Sequence, residues 1–274
     1  MTAKCFSQRA ADIDWYCELR GQGPSVVLIP SGEGDCGSFE RVTDILADEF
    51  TVLTFDMPGY SRSGTPPEFG AVTAGELAEQ VSALVESLHL APATFYGCSS
   101  GGLISLSLVS EHSNFVRNVI VHEVPLSLAP LSKMALDRLL SPDDAVVVEA
   151  CKDLFRNMFN EDSKAWDDLG AEYHRRLEKN YVTWIRHYVA GGALIREYRS
   201  EELRKRPITW TIGGLTPTFM FFDNIRSAQL ANTEIELLMC RHFPQASIPD
   251  QLAEHIRVNA RKHLETPSTG TAKV

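Results

Sequence analysis

Nothing in this chain of 274 residues comes near the roughly 18 uninterrupted apolar residues that a membrane-spanning helix needs. Its opening, "MTAKCFSQRAADIDWYC", lacks the apolar centre of a secretory signal, so a cytoplasmic protein is expected. An excess of positive charge is also missing. Lys and Arg number 26 against 36 Asp and Glu, a net charge of −10. Nucleic acid and anionic lipid both call for clustered cations, so neither is an expected partner, and the acidity reads as simple solubility. The six cysteines (Cys5, Cys17, Cys36, Cys98, Cys151, Cys240) form no CxxC pair. Neither a zinc site nor a disulfide framework is suggested, which fits a reduced interior. There is no internal repeat. The sequence leaves the oligomeric state open, with a homodimer among the options.

What is present is alternation. "PSVVLIP" (24–30), "FTVLTFDMPGY" (50–60), "ATFYG" (93–97) and "VRNVIVHEVP" (116–125) are short, near-continuous apolar runs. Runs of this kind read as strands buried on both faces of a parallel sheet. Between them, "TAGELAEQVSALVESLHL" (73–90) has a Thr cap and places Leu77, Val81, Leu84, Val85 and Leu88 on one helical face. "SGGLISLSLVSEH" (100–112) reads as a second helix. Strand–helix alternation implies an α/β fold with right-handed crossovers. The pattern then turns helical over residues 127–205, and strands return at "PITWTIGG" (207–214) and "TEIELLM" (233–239) before a last helix. We therefore expect a core formed by residues 1–126 and 206–264, a helical cap at 127–205 over the carboxyl ends of the strands, and a flexible tail at 265–274.

The glycine turn "ATFYGCSSGG" (93–102) raises the chemistry. Gly97-Cys98-Ser99-Ser100-Gly101 is a Gly-x-Ser-x-Gly pattern. The five letters alone are weak, but a strand before and a helix after supply the context of a nucleophile elbow. Ser99 is the expected nucleophile. Ser100 follows it, and its backbone N–H lies where an oxyanion would form. A second donor is expected from the glycine-rich loop "PSGEGDCGSF" (30–39), with Gly32 the best placed.

A serine needs a histidine to take its proton and a carboxylate to orient that histidine. His242 stands between the last strand and the last helix, where such a base belongs. His89 and His112 end helices, His174 and His187 lie in the helical stretch, and His255 and His263 lie within the last helix. The acid is less routine. After "ITWTIGG" come Leu215-Thr216-Pro217-Thr218, with no carboxylate. Glu123, at the end of the preceding apolar strand, is the better candidate, and Asp223 in "FMFFDNI" is the alternative. His122 reads as a core or supporting residue. The order Ser99, Glu123, His242 is that of an ester-cleaving hydrolase working through an acyl-enzyme, with no metal or organic cofactor. Haloalkane or epoxide chemistry would want Asp at position 99.

"TFDMPGYSRS", "YGCSSG", "HEVP", "KNYVTWIRHY", "FFDNI" and "HFP" together resemble the zearalenone hydrolases, fungal lactonases of the α/β-hydrolase fold. The likeness runs from about Trp15 to Leu264. It implies a mostly parallel central sheet flanked by helices, with an inserted helical cap. It also implies a triad at Ser99, Glu123 and His242, and a small-molecule lactone substrate: the resorcylic macrolactone zearalenone and its zearalenol relatives, whose opened acid is expected to decarboxylate. It implies that Trp184 packs on the bound lactone, with Tyr188, Phe222 and Phe243 as further pocket candidates. Three places depart from the family. Ser31 stands on the pocket wall where Asp is typical, "VAGGALIREYRS" (189–200) replaces a proline-rich stretch, and "GGLISLSLV" (101–109) carries different packing residues. These leave open the preference among zearalenone, zearalenols and other lactones. A general carboxylesterase, a carbon–carbon bond hydrolase and a hydrolase-fold receptor with little turnover are the other readings.

Overall fold

The computed structural model describes residues 4–127, 133–189 and 195–264. Eight strands form one sheet: β1 Lys4–Ala10, β2 Ile13–Arg20, β3 Ser25–Ile29, β4 Thr51–Phe55, β5 Ala93–Cys98, β6 Val116–His122, β7 Ile208–Gly213 and β8 Ile235–Leu238. Their order is β1-β2-β4-β3-β5-β6-β7-β8. From β4 to β8 every pairing is parallel, while β1–β2 and β2–β4 are antiparallel.

Strand periodicity explains why the apolar runs are continuous. In β3, Val27 and Ile29 pack into one core cluster, and Val26 and Leu28 into the other. Side chains two residues apart share a face, so a strand covered on both sides must be apolar at every position. Helices Ala74–Ser87 and Ser100–Glu111 cover the first face through Leu77, Val81, Leu103 and Leu106. Helices Glu40–Leu46 and Pro249–Arg261 cover the second through Val42, Leu46, Leu252 and Ile256. Thr73 caps its helix as expected: its hydroxyl accepts from Glu76 N at 3.1 Å, and Glu76 returns the bond to Thr73 N at 2.7 Å.

The sequence reading assigned no strand before residue 24, yet β1 and β2 form a hairpin there. The two-residue turn uses Ala11 and Asp12 at φ 49° and 58°, left-handed positions that would ordinarily advertise themselves with Asn or Gly. Between β6 and β7 the described residues carry helices and no strand. Two of these helices run on into π turns, Asp144–Asp153 into Leu154–Met158 and Ala171–Thr183 into Trp184–Val189. Among the described residues no helix is long and apolar enough to cross a membrane. The expected flexible tail 265–274, and residues 190–194 of the stretch that departs from the family, lie outside the described residues.

Parallel register brings the strand ends level. Ile29 pairs with Gly97, Cys98 with His122, and His122 with Thr211. The residues that follow β3, β5, β6 and β7 therefore meet along one edge of the sheet.

Candidate active site

Ser99 stands between β5 and its helix at φ 53°, ψ −122°, a backbone state that costs a non-glycine residue roughly 1–3 kcal/mol. The elbow is held from both sides. Ser99 N donates to His122 O at 2.9 Å, and Ser99 O accepts from Gly102 N at 2.9 Å. The flanking glycines follow from close packing. A Cβ on Gly97 would lie 2.1 Å from Gly101 O, and one on Gly101 would lie 2.5 Å from Ile29 O. The elbow is thus pressed against the end of β3 and the loop beyond it. Ser100 opens the helix, where the first N–H groups have no partner within the helix.

Glu123 follows β6 directly, at φ 45° and fully buried. Its Oε1 accepts from Gly213 N at 2.8 Å, and its Oε2 from His242 Nδ1 at 2.7 Å. Burial pushes the carboxyl up, but the His242 hydrogen bond and the facing His122 and His242 rings outweigh it, so its pKa falls below the usual glutamate value. An ionised carboxylate only accepts, which places a proton on His242 Nδ1. The site is close-packed here too: a Cβ on Gly213 would lie 2.8 Å from Glu123 Oε1 and 2.5 Å from Cys240 O. The end of β7, which lacks a carboxylate of its own, is the space that the Glu123 carboxylate reaches across. Asp223, the alternative acid, is exposed on the helix Phe222–Ala231. Its buried neighbour Asn224 instead braces the end of β6, accepting from Val124 N at 2.9 Å and donating to Val124 O at 2.8 Å.

His242 is tied to the elbow through its backbone. Its carbonyl accepts from Cys98 Sγ at 2.9 Å, and its N–H donates to Phe159 O at 3.0 Å. The Phe159 ring lies 4.5 Å from the imidazole, centre to centre. Glu123 and His242 are therefore in direct contact, and Ser99 is anchored by the residue before Glu123 and preceded by the residue that holds His242. His122 stays in the core between the Thr211 hydroxyl (2.9 Å) and the Arg241 carbonyl (3.1 Å), and burial lowers its pKa to about 4.

Gly32 is the second residue of the turn Ser31–Gly34, closed by Gly34 N donating to Ser31 O at 3.1 Å. Trp184 covers it: a Cβ on Gly32 would lie 2.7 Å from the indole Nε1. Ser31 is buried beside them. The other pocket candidates differ in their surroundings. Tyr188 is a core residue, its hydroxyl donating to Pro58 O at 3.1 Å and its ring 4.8 Å from that of Tyr60. Phe243 is fully buried against Phe155 and Trp166. Phe222 is 61% exposed. A cavity of about 680 Å³ reaches Glu123 and His242 and has Leu139, Leu154, Phe159 and Leu215 on its wall, while Ser99, Gly32 and Trp184 are not among its lining residues.

The alpha/beta hydrolase fold family matches residues 24–245. A zearalenone hydrolase of Bionectria ochroleuca is 40% identical over 92% of this chain and 96% of its own length. One from Cladophialophora bantiana is 38% identical over 92% and 94%. The chain belongs to the zearalenone hydrolases of the α/β-hydrolase fold. It is thereby a carboxylic ester hydrolase, and the mostly parallel sheet with its flanking helices is the expected fold. The enol-lactonase from Burkholderia xenovorans shares that fold, with a TM-score of 0.71 and 17% identity over 94% of this chain and all of its own.

Proposed function

We propose that this enzyme opens the ester bond of a resorcylic macrolactone of the zearalenone type, with Ser99 as nucleophile, His242 as base and Glu123 as the acid that orients it. The observation that carries the reading is the 2.7 Å contact between His242 Nδ1 and Glu123 Oε2 at the strand end beside the elbow. The two zearalenone hydrolases that match nearly the whole chain support the choice of substrate.

In this reading His242 Nε2 takes the Ser99 proton as Oγ attacks the lactone carbonyl. The oxyanion rests on the Gly32 and Ser100 N–H groups. Collapse breaks the ring C–O bond, and His242 returns its proton to the departing alkoxide. The alcohol remains tethered to the acyl group, so re-closure competes at high effective concentration with hydrolysis. A water activated by His242 then frees the hydroxy acid and Ser99. Trp184, against Gly32, supplies an aromatic wall and an N–H donor suited to a large apolar ring with phenolic groups. No step calls for a cofactor.

Incubation with zearalenone, followed by chromatography of the ring-opened acid, tests the reading. Ser99→Ala should lose at least about ten-thousandfold in kcat while still binding the lactone. Rapid turnover of p-nitrophenyl acetate with the macrolactone left untouched would instead mark a general esterase. Tight lactone binding with no repeated turnover by the unaltered protein would mark a receptor.

A further inference from the structure

Arg176, Asn180 and Trp184 recur every four residues along the helix Ala171–Thr183 and its π extension. This spacing puts all three on one face. That face lies on the loop after β3. Arg176 grips Asp35 with two bonds, Nε to Oδ2 at 2.6 Å and an Nη to Oδ1 at 2.9 Å. Asn180, fully buried, donates to Glu33 O and to Ser61 Oγ, both at 2.8 Å, and accepts from Ser61 N at 2.9 Å. Ser61 in turn donates to Asp35 Oδ2 at 2.6 Å. Burial works against charge on Asp35, but Arg176 and Arg62 hold its carboxyl below the usual aspartate range. The core side of the same turn is fixed by Met57 N donating to Gly34 O at 2.8 Å.

The consequence concerns one peptide plane. Gly32 N–H belongs to the same peptide unit as Ser31 C=O, and Gly34 N–H fixes that carbonyl. The direction of Gly32 N–H is thus set by the turn Ser31–Gly34, whose Glu33 carbonyl is held by Asn180. We infer that Arg176 and Asn180 are positioning residues for the oxyanion site: the helical insertion clamps the turn so that Gly32 N–H points at the developing charge. The inference rests on the proposed role of Gly32. It assigns to the insertion a part in transition-state stabilisation, besides any part in covering the substrate.

A misaimed oxyanion donor weakens the tetrahedral state far more than the bound ester, and the loss of one such donor costs on the order of a hundredfold or more in kcat. The test compares the two states. Phenylboronic acid forms a tetrahedral adduct with an active-site serine and reports the first. Zearalenone binding to Ser99→Ala, read by tryptophan fluorescence, reports the second. Asn180→Ala should weaken phenylboronic acid inhibition and lower kcat, each by roughly tenfold or more, while changing lactone affinity in the Ser99→Ala background less than about threefold. Arg176→Lys keeps the charge but loses the fork, and should show the same split at a few-fold. Equal losses for boronate and lactone, or unchanged boronate inhibition in a folded Asn180→Ala protein, would overturn the inference. A different result tells against the function reading itself: Ser99→Ala retaining turnover, or the unaltered enzyme ignoring phenylboronic acid.

Discussion

Two glutamates stand at the same edge of the sheet, both buried, and their pKa values shift in opposite directions. Glu123, after β6, has a lowered pKa. Glu33, after β3, is pushed up to about 7. Burial raises both carboxyls, so burial is not what separates them. Glu123 meets two aimed donors, Gly213 N–H and the His242 Nδ1 proton, one on each oxygen. Glu33 receives the Ser38 hydroxyl on Oε1 at 3.2 Å, and the anionic Asp35 two residues away works against a second negative charge. The difference shows where this fold maintains a buried charge. It does so beside the proposed base His242, and it raises the pKa of the carboxyl next to the proposed oxyanion donor Gly32.

The sharpest way to break the comparison is to remove the charged member. Glu123→Ala should cost about a thousand- to ten-thousandfold in kcat, the scale seen when a triad acid is lost, because nothing then holds the proton on His242 Nδ1. Asp223→Ala should change kcat less than about twofold, since an exposed helix residue takes no part in that bond. Steady-state assays on the two variants decide between them. An inactive Asp223→Ala beside an active Glu123→Ala would reverse the assignment. A milder probe leaves Glu123 in place and crowds it. Gly213→Ala puts a Cβ 2.8 Å from Oε1, so the carboxylate or the end of β7 must shift. A loss of about ten- to a hundredfold in kcat, with about 1–3 kcal/mol of stability, is expected.

Much of this site was legible before the fold. The elbow and His242 sit at strand–helix boundaries and Glu123 at a strand end, and such places can be read from hydrophobic periodicity and glycine. The proposed acid was legible by subtraction, because "IGGLTP" offers no carboxylate where the next strand ends. What could not be read was contact between distant segments. Asp35 and Arg176 lie 141 residues apart, and neither stands in a motif. Their one trace is the four-residue spacing from Arg176 to Trp184, which ordinary helix packing also produces. Tyr188 and Phe243 are buried in the structure, and a buried aromatic near a site in sequence is as easily part of the core beneath it. The hairpin β1–β2 escaped notice because its turn residues are Ala11 and Asp12.

The neutral member of the pair yields the smallest and most specific effect. A carboxyl whose pKa is about 7 in the folded chain, against an ordinary value of 4.5, binds more protons folded than unfolded. Its contribution to stability is complete below the unfolded value and is lost as the pH rises through the folded one. Between pH 6 and pH 8 that loss is about 1.4 kcal/mol. Other groups move with pH as well. His122, lowered to about 4, stabilises the fold increasingly as the pH climbs toward 6.5. The slope of one protein therefore proves little, and the useful quantity is a difference. Glu33→Gln keeps the shape and carries no charge at any pH, so it imitates the protonated form and lacks its pH-dependent loss. Urea unfolding of both proteins at the two pH values should show Glu33→Gln gaining about 1.4 kcal/mol on the unaltered chain as the pH rises, with kcat changed little. If the difference stays constant, Glu33 is already ionised in the fold, and the two glutamates are alike after all.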